Sequence, residues 1–241
     1  MTKKLKRIYP LYWLSLPISL LGYVLASLAM NDSSPDLVPN SFMLDLLGSL
    51  TGFYSWIGLW GGPYNPPSWF IGLIISLYAV GPLILKGFNK RPYLTLLILL
   101  VISVASRMYV GQEGIPFVPT NTYDEVKGWA YRQFGFMPGR PTDWFPLCRI
   151  FEFGLGVYIG MRLPKHIWFA LQLPFHKVTA YLSNLAFPLF LLHYPWMFLV
   201  AVFIDHGMPI IFSIGLYMFS LIMLSYDVSK LESKVLSSLK K

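Results

Sequence analysis

Long apolar runs separated by short polar connections dominate the chain, and several runs have the length of a membrane span. A helix rises ~1.5 Å per residue and the hydrocarbon layer is ~30 Å thick, so a span needs about 20 apolar residues. Ile8–Met30, Ser68–Leu85 and Met208–Tyr226 approach or meet that length with no charged residue. Pro92–Arg107 is shorter and ends on Arg107, whose long side chain can snorkel to the headgroups. Trp144–Met161 qualifies but carries Arg149 and Glu152, and Val178–Ile204 carries His193. The pattern predicts an all-α, polytopic membrane protein with six clear spans. Two further stretches, the Gly-rich Leu46–Gly62 and the short Ile167–Phe175, read as re-entrant or interfacial pieces, for up to eight helices.

Charge placement orients these spans. With Thr2–Arg7 in the cytoplasm and six alternating spans, 14 of the 19 basic residues fall inside: those of Lys3–Arg7, Lys86–Arg91, Arg162–Lys177 and Lys230–Lys241. The outer segments then take 8 of the 11 acids, and both termini are cytoplasmic. Were Leu46–Gly62 and Ile167–Phe175 also to span, the basic segments Lys86–Arg91 and Arg162–Lys165 would move outside. The N-terminus imitates a secretory signal, but its apolar run is long and holds Pro10 and Pro17, so it reads as an uncleaved anchor in the plasma membrane. The connection 108–143 is polar and rich in Gly and Pro, as binding loops and lids often are. No repeat or linker marks a second domain, so residues 1–241 read as one membrane-embedded domain.

Composition agrees. Of 241 residues, 55% are hydrophobic and only 12% charged, with a mean hydropathy of +0.55. Soluble proteins average ~25% charged, so an ordinary soluble enzyme and a disordered tail are both excluded. The net charge of +8 is scattered between apolar runs, which argues against a nucleic-acid partner. The lone Cys148 excludes a disulfide framework and a cysteine-rich metal site, and no metal is expected.

Polar groups within apolar runs carry the candidate chemistry, because a charge at mid-membrane costs at least ~2.5–3.5 kcal/mol. Arg149 and Glu152 are three apart and share a helical face. They either neutralise each other to fix packing or face a cavity where Arg149 holds an anionic group and Glu152 orients it. His193 lies between Pro188 and Pro195, either as an interhelical contact or lining a pocket. In Gly61-Gly-Pro-Tyr-Asn-Pro-Pro-Ser-Trp69, the residues Asn65, Ser68 and Trp69 offer hydrogen bonds and a stacking surface that suit a sugar ring; an interfacial tryptophan explains Trp69 equally well. The basic Lys3–Arg7 cluster, Lys4 and Arg7 included, either anchors the inner face or holds the phosphates of a cytoplasmic donor such as coenzyme A. No HExxH, GxSxG or phosphate-binding glycine loop is present. These residues by themselves fit an enzyme, a transporter or channel lined by Arg149, Glu152 and His193, or a structural subunit.

Four stretches together resemble the acyltransferase 3 family of polytopic membrane acyltransferases. Lys4-Leu-Lys-Arg-Ile-Tyr-Pro-Leu-Tyr-Trp13 is similar to the family's R-x-x-R-I-x-P-x-Y-W entry to its third helix, with Lys4 in place of the first Arg. Ser68-Trp-Phe-Ile-Gly through Tyr78 and Pro82, Arg149-Ile-Phe-Glu-Phe-Gly-Leu-Gly156, and Leu182 through His193-Tyr-Pro195 resemble three later segments in the same order. The resemblance implies an O-acyltransferase with an acyl-CoA donor, usually acetyl-CoA, on the cytoplasmic side. The acceptor would be a hydroxyl of an extracytoplasmic carbohydrate or glycolipid. It implies donor binding at Lys4 and Arg7, and places Arg149, Glu152, His193, Ser68 and Trp69 around the central cavity. The family's catalytic histidine lies in its first helix, whereas this resemblance begins at the third, and the glutamate that many members carry after the tryptophan is Ile74 here. Two expectations follow: either the coding start lies upstream of Met1, or the chain is a shortened relative, inactive as it stands or completed by a partner supplying the missing helix pair.

Overall fold

Four of the apolar runs fold as helices long and apolar enough to cross a bilayer. In a computed structural model of the chain, which describes residues 2–31, 42–57, 65–115, 141–163 and 176–238, every regular element is helical. These elements are α1 (Thr2–Asn31), α2 (Phe42–Thr51), α3 (Trp69–Lys90), α4 (Pro92–Glu113), α5 (Pro141–Trp144), α6 (Ile150–Arg162), α7 (His176–Leu192), α8 (Phe198–Asp205) and α9 (Ile210–Ser238). Short 3-10 turns occupy Tyr54–Ile57, Pro66–Ser68 and Pro146–Arg149. Among the described residues the span-length helices are Ile8–Ala29 of α1, Pro66–Lys90, α4 and α9. The protein is a helical membrane protein.

The six predicted spans resolve into these four and two interrupted stretches. In Trp144–Met161 the chain forms a turn at Pro146–Arg149, and α6 begins only at Ile150. Its 13 residues rise about 20 Å, short of the hydrocarbon thickness. In Val178–Ile204 the helix stops at Leu192, and a five-residue turn, 193–197, separates α7 from α8. Pro195 has no N–H to give, and the Met197 N–H turns to the Tyr194 carbonyl at 3.1 Å instead of the helical acceptor, His193. Pro10, Pro17, Pro82 and Pro188 lie inside helices, so proline alone does not decide where a helix breaks.

Leu46–Gly62 begins inside the ten-residue α2, which ends at Thr51 before Gly52 at φ +74°, where only glycine turns without strain. Residues 58–62 of that stretch lie outside the described residues, as does the whole of Ile167–Phe175. Of the expected outer connection 108–143, the first part is helical to Glu113 and α5 closes it; 116–140 lies outside the described residues.

The chain divides into two compact units. The first comprises the turn at Tyr54–Ile57 and α3 to α6. Its apolar core is Leu73, Leu77, Ile84, Phe88, Leu99 and Ile150. Here α4 and α6 come close because Gly154 has no side chain: a Cβ there would stand 2.3 Å from Leu99 Cδ1. In lipid, close packing at small residues drives helix association, since the surrounding chains are as apolar as leucine.

The second unit comprises α1, α2, the turn Pro66–Ser68, and α7 to α9. Leu11, Leu192, Tyr217, Leu221 and Val228 form its core. α1 meets the broken stretch at Gly22, where a Cβ would lie 2.8 Å from the Pro195 carbonyl oxygen.

Two glycines of α6 give a controlled test of the α4–α6 contact. Gly154→Val is expected to lower the thermal midpoint of the detergent-solubilised protein, through an overpacking cost of about 1–3 kcal/mol. Gly156→Ala, where a Cβ would meet nothing within 4 Å, is expected to hold or raise it. Equal midpoints for both variants would remove Gly154 from the packing.

Candidate functional site

In the first unit the charged residues gather where the chain enters α6. Arg149 closes the 3-10 turn, one residue before the helix, and Glu152 lies in the first helical turn. They pair at 3.4 Å, as their spacing of three predicts. Arg149 also reaches back to α5: Nη2 holds the Asp143 carboxylate at 2.7 Å and Nε donates to the Asp143 carbonyl at 3.1 Å. All three guanidinium nitrogens therefore meet protein acceptors.

A fourth residue completes the cluster from α4. Arg107 ion-pairs with Glu152 through Nη2, and its Nε donates to the Cys148 carbonyl at 2.8 Å. Ser103, one helical turn earlier on α4, donates to the same carbonyl at 2.7 Å. Arg107 is thus not a snorkelling terminus. α4 runs six residues, about 9 Å, beyond it, and the side chain turns onto the entry to α6.

Two guanidiniums and two carboxylates cancel, so the cluster is neutral and tied at every member. Its side chains remain 35–46% exposed, so each pair contributes at most about 1 kcal/mol. Cys148, at its centre, is fully buried.

The remaining candidates belong to the second unit, apart from Trp69. His193 occupies the turn between α7 and α8. Its Nδ1 lies 2.7 Å from the Phe190 carbonyl, which can only accept, so Nδ1 donates to it. The ring packs against Phe190 and, edge-on, Tyr194. The His193 carbonyl, freed by the turn, accepts from the Tyr217 hydroxyl of α9.

Asn65 and Ser68 are both buried, at 2% and 1% exposure, with the two prolines between them. Asn65 Nδ2 donates to Ser19 Oγ at 3.0 Å, while among the described residues its Oδ1 is buried without a hydrogen-bond partner. Ser19 stands near the middle of the Ile8–Ala29 span, so the amide lies at mid-depth along α1. Trp69 begins α3, is half-buried in the first unit and packs edge-on against Phe70. Lys4 and Arg7 fall in the first two turns of α1; their side chains lie outside what the structure describes. Arg149 and Glu152 are brought together, and Asn65 and Ser68 share one turn. His193 belongs to the other unit from the Arg149 cluster.

Several working residues escaped the sequence reading. Arg107 and Asp143 complete the charge cluster, yet Arg107 and Glu152 are 45 positions apart. Tyr9, Tyr12 and Trp13 of α1 donate to the carbonyls of Thr51, Ser49 and Leu50 respectively, the last three of α2. A helix end leaves such carbonyls without partners. The Tyr-Pro-Leu-Tyr-Trp run is therefore a cap, a role that its aromatic donors at positions 9, 12 and 13 signalled only by their helical spacing.

The charge cluster is expected to behave as one coupled unit. Arg107→Ala and Glu152→Ala should each lower the thermal midpoint, with the double variant less than additive and the coupling weaker at high salt. Strict additivity would mean that the pair contributes nothing to the fold. Comparison of the chain with family models, with curated proteins and with solved structures finds no match.

Proposed function

We propose that the chain is a membrane O-acyltransferase, or the membrane body of one, that moves an acyl group of the acetyl type from acyl-CoA to a hydroxyl of an extracytoplasmic carbohydrate or glycolipid. In this reading the six apolar stretches cross the membrane, both termini face the cytoplasm, and Lys4 and Arg7 engage the donor's phosphates. Asn65, Ser68 and Trp69 serve the acceptor.

One observation carries the reading. Three of the four stretches that resemble the acyltransferase 3 family supply many of the polar contacts within the two units: Tyr9, Tyr12 and Trp13 from the first, Arg149 and Glu152 from the third, and His193 from the fourth. An apolar shell retains polar groups at such cost chiefly where they pair or serve chemistry.

The chemistry follows from acyl transfer in general. A base takes the acceptor hydroxyl's proton, the oxygen attacks the thioester carbonyl, and the carbon–sulfur bond breaks to release the coenzyme A thiol. Hydrogen-bond donors beside the developing oxyanion lower the barrier. In this reading His193 Nε2, the ring nitrogen not committed to the Phe190 carbonyl, serves as the proton acceptor. Arg149 and Glu152, tied to Arg107 and Asp143, act as positioning residues that set the entry to α6. Their closed, neutral network also favours a second reading, a structural subunit that a partner helix pair completes.

Calorimetry separates the two. Purified protein should bind coenzyme A, and Arg7→Ala should weaken that binding; no binding to either form would count against the donor site. Topology is checked by thiol labelling, against a low background because Cys148 is fully buried. A cysteine at Glu113 should label from outside intact cells and one at Lys90 only after lysis. The reverse pattern would refute the orientation.

A further inference from the structure

The last helix is longer than a membrane is thick. α9 has 29 residues and rises about 43 Å, against about 30 Å of hydrocarbon. Counted from Ile210, the hydrocarbon ends about 20 residues on, beside Lys230. Ser213, Tyr217, Leu221, Ser225 and Val228 are buried and define the side of α9 that faces protein. At 100° per residue, the opposite side carries Phe212, Phe219, Met223 and Tyr226, then Lys230 and Lys234, and all six are exposed. The stripe is apolar for its first four turns, aromatic at Tyr226 and cationic beyond.

Two features make this more than a lipid-facing side. Lys230 Nζ lies over the Tyr226 ring, 5.8 Å from its centroid, which holds the ammonium at the level where a tyrosine marks the interface. Lys234 stands one turn further, with its Cβ about 6 Å away, close enough for both ammoniums to reach one phosphate. Neither lysine is ion-paired among the described residues, although Asp227 borders the stripe and is itself exposed.

We infer that this stripe binds one anionic phospholipid, its phosphate between Lys230 and Lys234 and an acyl chain along Met223, Phe219 and Phe212. A lipid with a net negative headgroup is selected because a zwitterionic headgroup brings its own ammonium against the two lysines. The inference rests on α9 being a membrane helix and not on the acyl-transfer reading.

Native mass spectrometry of the full chain, released from detergent with phosphatidylglycerol or phosphatidylcholine added, tests it. Wild type should retain phosphatidylglycerol in preference to phosphatidylcholine. The double variant Lys230→Ala/Lys234→Ala should lose that preference several-fold, and Lys230→Arg/Lys234→Arg should restore it. Every changed position is exposed, so the variants should keep the wild-type thermal midpoint. Equal retention of the two lipids by wild type, or unchanged retention by the alanine variant, overturns the site. Displacement of the lipid by excess coenzyme A does so too, because it would assign the lysines to a nucleotide's phosphates.

Discussion

A peptide carbonyl that loses its helical partner inside a membrane has no water to replace it, and leaving it bare costs several kcal/mol. Among the described residues the second unit ends α2 at Thr51 and interrupts the stretch 178–204 at His193, and the first unit breaks before α6. At each of these three places a neighbouring helix supplies a side-chain donor. Tyr9, Tyr12 and Trp13 serve the last three carbonyls of α2. Tyr217 serves His193 after Met197 has turned to Tyr194. Ser103 and Arg107 together serve Cys148. These repairs are what permit irregular chain in an apolar body, and they decide which helices must lie side by side.

The same requirement explains what hydropathy could and could not reveal. The apolar runs of α1, α3, α4 and α9 were legible because length and absence of charge suffice to mark a helix in lipid. The stretches 144–161 and 178–204 looked equally good, since hydropathy counts side chains and is blind to where backbone bonds go. Proline gave no guide: Pro188 sits inside α7, seven residues before Pro195 lies in the turn. What distinguishes them is tertiary. Gly22 makes room for the Pro195 carbonyl and Tyr217 reaches the freed one at His193. The Arg149–Glu152 pair was legible because spacing of three fixes a shared face. Arg107 was not, because its link to Glu152 crosses from one helix to another.

The charge cluster changes what Arg149 can do. Three of the five guanidinium N–H groups, one each on Nε, Nη1 and Nη2, are directed to protein acceptors, which fixes the plane of the group and leaves one N–H on each Nη. The cluster locks three elements, α4, α5 and α6, around the Cys148 carbonyl. Any function of the first unit then works through that fixed geometry.

Asn65 stands differently. Its amide is anchored on one side by Ser19, and among the described residues its Oδ1 is buried without a hydrogen-bond partner. Such an atom costs about 1–3 kcal/mol. Among the described residues Trp196 Nε1 and Ser225 Oγ are also buried without a partner. The residues that follow Asn65 offer its Oδ1 no donor, because Pro66 and Pro67 supply no N–H. The Asn65–Ser19 contact therefore ties the turn at Pro66–Ser68 to mid-depth of α1 at a cost in unsatisfied hydrogen bonding that the ion pairs, partnered at every member, do not carry.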